Sequence, residues 1–282
     1  MITLKKLENG FEYLEVKNSF CSAKIALQGA HIFEYKRSSE EDILWLSEVS
    51  DFKLGKAIRG GVPICWPSFG MNNPNLAQHG FARTSLFKFV SSKEIEKDTT
   101  EVLLRLVHSS ESLELWNYKF KLELKITLTD RLVMELITTN LDEKEFILTQ
   151  ALHTYFTISD ISNIVVKGLE NKPRFDALTG ETFIQKRDII FNEEFDSVFQ
   201  KVDTQIVLED KNRTINIKNE GSSSVVVWNP WIEKCSKMSA IKSNAYREFI
   251  CIESANAYED FRVLKPSQKC VLKVDISEFN SF

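Results

Sequence analysis

Histidine is sparse in this chain, with only His31, His79, His108 and His153 among 282 residues. They are far apart, which argues against a cupin-like enzyme or metal-dependent lyase, whose facial ligand cluster needs two or three histidines at close spacing. The five cysteines (Cys21, Cys65, Cys235, Cys251, Cys270) are odd in number and scattered. They form neither the close pairs of a zinc knuckle nor a disulfide framework, and read as reduced, mostly buried thiols. A basic excess is also missing: 36 Lys and Arg stand against 40 Asp and Glu. That balance speaks against a nucleic-acid surface, so any anion site must be local. No run approaches the roughly 18 apolar residues of a membrane span, and "MITLKKLENG" lacks an apolar signal-peptide core. The expectation is a cytoplasmic protein with no membrane partner. Gly/Ser/Pro-rich linkers, internal repeats and low-complexity tracts are absent too, and residues 1–282 read as one domain.

What the chain has is alternation. In "YKFKLELKITLTD", Phe120, Leu122, Leu124, Ile126 and Leu128 share one side of a strand, while Lys119, Lys121, Glu123, Lys125 and Thr127 share the other. Shorter versions occur at "FEYLEVK", "EVLLRLV", "RLVMELIT", "RTINIKN", "SSSVVVW" and "KCVLKVDI". The one helical candidate is "WIEKCSKM", directly after Pro230. Many strands without crossover helices predict an all-β antiparallel sandwich.

The few glycines and prolines concentrate in "IRGGVPICWPSFG", residues 58–70, followed by "QHGFAR", residues 78–83. Gly60 and Gly61 allow close backbone approach or positive φ, while Pro63 and Pro67 stop a regular central strand. Trp66 and Phe69 add flat apolar faces, and Arg59 and Arg83 add guanidinium forks suited to phosphate or carboxylate oxygens. The glycine spacing matches neither a dinucleotide fingerprint nor a P-loop. Taken alone, such a loop is more often a packed turn than a binding loop.

Among titratable residues, His31 and His108 sit in strand-like surroundings without polar company and read as structural. His79 lies in the suspected loop, and His153 in "ALHTYF" lies among apolar neighbours. Glu253 follows the apolar run of "FICIESAN", where burial would raise its pKa toward that of a useful base. Asp196 lies between aromatics in "FNEEFDSVF".

Together and in this order, "RGGVPICWPSFG", "QHGFAR", "LHTYF", "EFDSVF", "VVVWNPW" and "YREFICIE" resemble the hexose-6-phosphate mutarotases, or glucose-6-phosphate 1-epimerases, a branch of the aldose 1-epimerase superfamily. The resemblance implies a large antiparallel β-sandwich of the galactose mutarotase-like supersandwich type, with sugar bound across a groove on one curved sheet. It implies His153 as general acid and Glu253 as general base, with Arg59, Gln78, Arg83 and Asp196 on the substrate and the arginines on its phosphate. His79, beside Gln78, is a candidate either for supporting the residues that touch substrate or for contacting a ring hydroxyl, and Trp66 for a wall of the groove. The implied chemistry is isomerisation by ring opening at the anomeric centre, in which only protons move, so neither metal nor organic cofactor is required. The implied partner is a small-molecule sugar phosphate, with no nucleic acid and no obligate protein partner. Two other readings stay open: an aldose 1-epimerase of unphosphorylated sugars, and a non-catalytic carbohydrate-binding or sensor protein. Many members of the family carry acids in the connection that reads "SAIKSNA" here, residues 239–245, where Ala240 and Asn244 stand and no acid is present.

Overall fold

The structure is a computed structural model that describes residues 1–37, 41–71, 73–95, 98–211 and 213–280. Two large sheets dominate it, and every strand pairing within them is antiparallel. Strands numbered in chain order give one sheet the sequence β13 (Val165–Lys167), β17 (Ile206–Asp210), β18 (Arg213–Glu220), β22 (Lys269–Asn280), β9 (Arg131–Asn140), β8 (Phe120–Leu128), β7 (Thr100–Val107) and β6 (Lys88–Glu94). The other runs β15 (Thr182–Ile184), β14 (Pro173–Asp176), β16 (Phe195–Phe199), β19 (Ser224–Asn229), β20 (Phe249–Asn256), β11 (Gln150–Leu152) and β5 (Ile64–Cys65), with β12 (Tyr155–Thr157) also paired to β20. A four-stranded sheet, β1 (Ile2–Lys6), β2 (Glu12–Lys17), β3 (Cys21–Ala26) and β4 (Ile32–Arg37), and the pair β10 (Phe146–Leu148) with β21 (Arg262–Leu264) complete the strands.

The alternation read from the sequence is realised physically. On β8 the residues Phe120, Leu122, Leu124, Ile126 and Leu128 are all buried, and they belong to the same core as Val225 and Val227 of β19 and Ile250 and Ile252 of β20. Apolar faces of the two large sheets therefore close on one another, as burial of apolar area requires. Each alternating segment named above contains a strand. Glu123 departs from the pattern: expected on the wet face, it is buried beneath Arg105 at 2.7 Å and Lys121 at 3.1 Å. These cations hold its carboxylate below the ordinary range against the opposing effect of burial.

The helix after Pro230 is α2 (Trp231–Lys237). A second helix, α1 (Ser110–Leu115), escaped the sequence reading because six residues carry too little periodicity. It starts at a capping box in which the Ser109 and Ser112 side chains bond reciprocally to each other's backbone N–H. His31 and His108 both face backbone carbonyls, of Gly60 at 2.8 Å and Phe120 at 3.1 Å, in keeping with structural roles.

The register of the second large sheet builds the functional face. Glu253 of β20 pairs with Val226 of β19, which lies beside Val198 of β16. One step of two residues along, Cys251 pairs with Trp228, which pairs with Asp196. Period-two geometry puts these side chains on the face opposite Val225, Val227 and Ile252, so both faces of β20 are covered. That explains why "FICIESAN" opens on four apolar residues before Glu253, and why all eight of its residues are buried.

Candidate functional site

All the predicted site residues except Trp66 line one cavity of about 390 Å³, within the range of roughly 300–1,000 Å³ common for small-ligand sites. His153 falls in the break between β11 and β12, which both pair with β20, and its N–H donates to the Pro63 carbonyl at 2.9 Å. This break brings Nε2 of His153 to 3.2 Å from Oε1 of Glu253. Tyr155 stacks on the imidazole with ring centroids 5.0 Å apart, and Trp228 meets it edge-on at 5.9 Å. The plane of the imidazole is thereby fixed.

Both members of this pair are buried, and burial moves them in opposite directions. Desolvation raises the Glu253 carboxyl well above its ordinary value, with a further push from Asp196 and a smaller opposing pull from Arg83. Desolvation also lowers His153 well below 6.5, reinforced by His79 and Arg83. Burial thus favours, at this contact, the uncharged arrangement of a carboxylic acid and an imidazole, with one proton shared between two sites. Neither Nδ1 of His153 nor Oε2 of Glu253 has a hydrogen-bond partner among the described residues. Leaving a buried polar atom unpaired costs about 1–3 kcal/mol, so polar ligand atoms have something to gain here.

The cationic side of the cavity carries Arg59 and Arg83. Arg83 donates through Nη2 to the Gln78 carbonyl at 2.8 Å, and neither guanidinium forms an ion pair with a described residue. Two uncompensated forks facing one cavity suit a dianionic group. His79 lies between this side and the acid–base pair, 5.8 Å from His153 between ring centroids. Its Nδ1 accepts from the Gly70 N–H at 3.2 Å, which leaves the proton on Nε2. Burial, with Arg83 and Arg59 nearby, lowers His79 to about 3. At neutral pH it is a fixed, uncharged donor and not a proton shuttle.

Opposite stands Asp196, raised above its ordinary pKa chiefly by burial and partly restored by Lys234. Lys234 was missed in the sequence, where it is one of two lysines in a helical segment. Its contribution depends on α2: the Asn229 side chain accepts from the Trp231 N–H at 2.9 Å and donates to the carbonyls of Tyr246 and Phe249, fixing where the helix begins. The helix then buries Cys235 and turns Lys234 into the cavity.

Trp66 requires a correction. It is fully buried, its indole N–H donates to Thr138 Oγ1 at 2.9 Å, and its ring packs on Phe81, Trp116 and Phe120. An indole satisfied inside the sandwich core cannot wall a groove; Trp228 and Phe69 line the cavity instead. Gly60 and Gly61 both have positive φ and allow close backbone approach, as expected. A Cβ on Gly61 would lie 2.4 Å from the Ile32 carbonyl oxygen, and one on Gly80 would lie 2.1 Å from that of Trp66. These positions serve close packing of backbone on backbone behind the site. Residues 239–245 do not line the cavity; Ser47 bonds to the Ala240 carbonyl and Lys242 pairs with Glu48.

Residues 12–277 match the family described as Aldose 1-epimerase. A protein of Cenchrus ciliaris named "Putative glucose-6-phosphate 1-epimerase" is 34% identical over 94% of this chain and 84% of its own length. One of the same name from Escherichia coli K12 is 32% identical over 94% of this chain and 90% of its own. The crystal structure of a "putative mutarotase" from Salmonella typhimurium superposes with a TM-score of 0.92 at 28% identity, covering 99% of this chain and 94% of that one. With its antiparallel sandwich and a cavity assembled from the motifs that first suggested the resemblance, this chain belongs to the aldose 1-epimerase family.

Proposed function

We propose that the protein is a hexose-6-phosphate mutarotase, an isomerase that interconverts the α and β anomers of a sugar phosphate such as glucose 6-phosphate. The observation that carries this reading is the 3.2 Å contact between His153 and Glu253 inside a cavity bearing two arginines that form no ion pair with a described residue. A cyclic hemiacetal holds its hydroxyl oxygen O1 and ring oxygen O5 on one carbon. An acid and a base acting on both oxygens must therefore lie close together, as these do.

Ring opening starts from the tautomer in which the shared proton has crossed to His153. The Glu253 carboxylate takes the O1 proton while the C1–O5 bond breaks, its electron pair going to O5, which receives the proton of His153. The products are an open-chain aldehyde, a protonated Glu253 and a neutral imidazole. Rotation about C1–C2 and the reverse proton transfers close the ring on the other face. The open-chain complex thus returns the pair to the uncharged form that burial favours, the same form as at rest, so only the tautomer that starts each step is charged. Positioned acid–base groups typically contribute about 10²–10⁴-fold, a scale suited to a reaction that already proceeds in water.

Arg59 and Arg83 would bind the phosphate, remote from the reacting carbon, and fix where C1 lies. Gln78, His79 and Asp196 would orient ring hydroxyls. Magnetisation-exchange NMR on the anomers of glucose 6-phosphate, glucose and galactose tests the substrate class. Strong acceleration for the phosphate ester and little for the free sugars is the expected result. Equal acceleration of all three would instead favour an aldose 1-epimerase of unphosphorylated sugars.

A further inference from the structure

Lys234 remains unassigned by the ring-opening chemistry although it faces the same cavity. Its ammonium lies 2.8 Å from Glu194 Oε1, 3.5 Å from Asp196 Oδ2 and 5.9 Å from the centroid of the Trp228 ring. The two carboxylate distances differ in an informative way. Glu194 makes the direct ion pair and anchors the amine. Asp196, at the longer distance, has its charge compensated while its lone pairs stay open, because no other described side chain bonds to its carboxylate.

We propose that Lys234 is a positioning residue of the sugar site, anchored by Glu194 so that its charge keeps Asp196 an ionised acceptor for ring hydroxyls. The choice of sugar contact rests on the mutarotase reading; the charge relation between the two side chains does not. Every element around Asp196 bears on its ionisation. Glu194 precedes it in the chain, Asp176 comes from β14, Glu253 from β20 and Tyr258 from the turn Tyr258–Asp260, while Arg59 and Arg83 line the same cavity. Apart from the two arginines, these groups are acidic, and Lys234 is the cation in contact. Without it, a carboxyl among other acids and half out of water takes up a proton and turns from acceptor into donor. Burial opposes the charge on Lys234 itself, but Glu194 and Asp196 outweigh it and hold the amine above its ordinary value.

The test combines a titration with kinetics on the full chain. The carboxyl carbon of Asp196 is followed by ¹³C NMR from acid to neutral pH in wild type, Lys234→Met, Lys234→Gln and Lys234→Arg, with Asp196→Asn giving the assignment. The expected result is a midpoint displaced upward in the Met and Gln variants and restored in Arg. KM for glucose 6-phosphate should rise about tenfold in the neutral variants, with a smaller change in kcat, and should fall back as pH is raised through the new midpoint. The same relative loss is expected for free glucose. An Asp196 titration identical in wild type and in whichever neutral variant folds would overturn the proposal. So would a KM loss confined to the phosphorylated sugar, which would make Lys234 a third phosphate ligand. Because the titration needs no turnover, an inactive wild type would count against the mutarotase reading and leave this one decided on its own evidence.

Discussion

At the contact between Glu253 and His153 one proton serves two sites, and the pH dependence of catalysis follows from that. Adding a second proton is opposed by the lowered His153, and removing the first is opposed by the raised Glu253. The singly protonated pair should therefore persist across a wide range, giving a flat kcat/KM through neutrality instead of a peak near 6.5. A sharp optimum at the ordinary histidine pKa, measured with glucose 6-phosphate, would contradict the shared-proton account. The arginines give a second prediction at this scale. Charge reversal at Arg59 or Arg83 should raise KM for the phosphate ester by about tenfold or more while hardly changing that for free glucose. Equal losses for both sugars would mean that the arginines shape the cavity and do not read the phosphate.

At the scale of elements, the site is a product of register. Strands β16, β19 and β20 set Asp196, Trp228 and Glu253 on one face because each strand alternates and the pairings are fixed, while the break between β11 and β12 delivers His153. The reassignment of Trp66 to the core is testable here. Trp66→Phe removes a hydrogen bond to Thr138 and some ring volume, and should lower stability by roughly 1–3 kcal/mol with KM unchanged. A rise in KM without loss of stability would restore Trp66 to the groove. Much of this level was legible in the sequence. Period-two alternation announces a strand wherever one face is buried, and an isolated glutamate ending an apolar run signals a carboxyl held out of water. Three features were not legible, each for a physical reason. Trp66 and Trp228 are both tryptophans beside proline-containing turns, and only tertiary packing decides which one meets the cavity. Lys234 gains its meaning from residues about forty positions earlier in the chain, Glu194 and Asp196. The helix α1 is short enough that its capping serines were its only signal.

For the molecule as a whole, holding an acid–base pair in an apolar site has a thermodynamic signature. Glu253 has a raised folded pKa, so above its unfolded value near 4.5 the native state binds more protons than the unfolded chain, and stability declines as pH rises toward the folded value. The lowered His153 opposes this up to 6.5, after which the Glu253 contribution stands alone. Glu253→Gln should consequently be more stable than wild type by a margin that widens as pH rises above the unfolded value near 4.5 toward the raised folded one, read as a growing difference in Tm. On the acid side, His31 is lowered to about 4 and His79 to about 3, so both must be neutral in the folded state at pH values where the unfolded chain is protonated. Stability should fall steeply between pH 6.5 and about 4, at about 1.4 kcal/mol per pH unit for each such proton. The central claim, however, is catalytic, and exchange between the two anomers of glucose 6-phosphate reports on it most directly. Wild type should accelerate that exchange, and Glu253→Gln should abolish the acceleration while still binding the sugar phosphate. An exchange rate untouched by wild type, or one that survives intact in Glu253→Gln, would contradict the account.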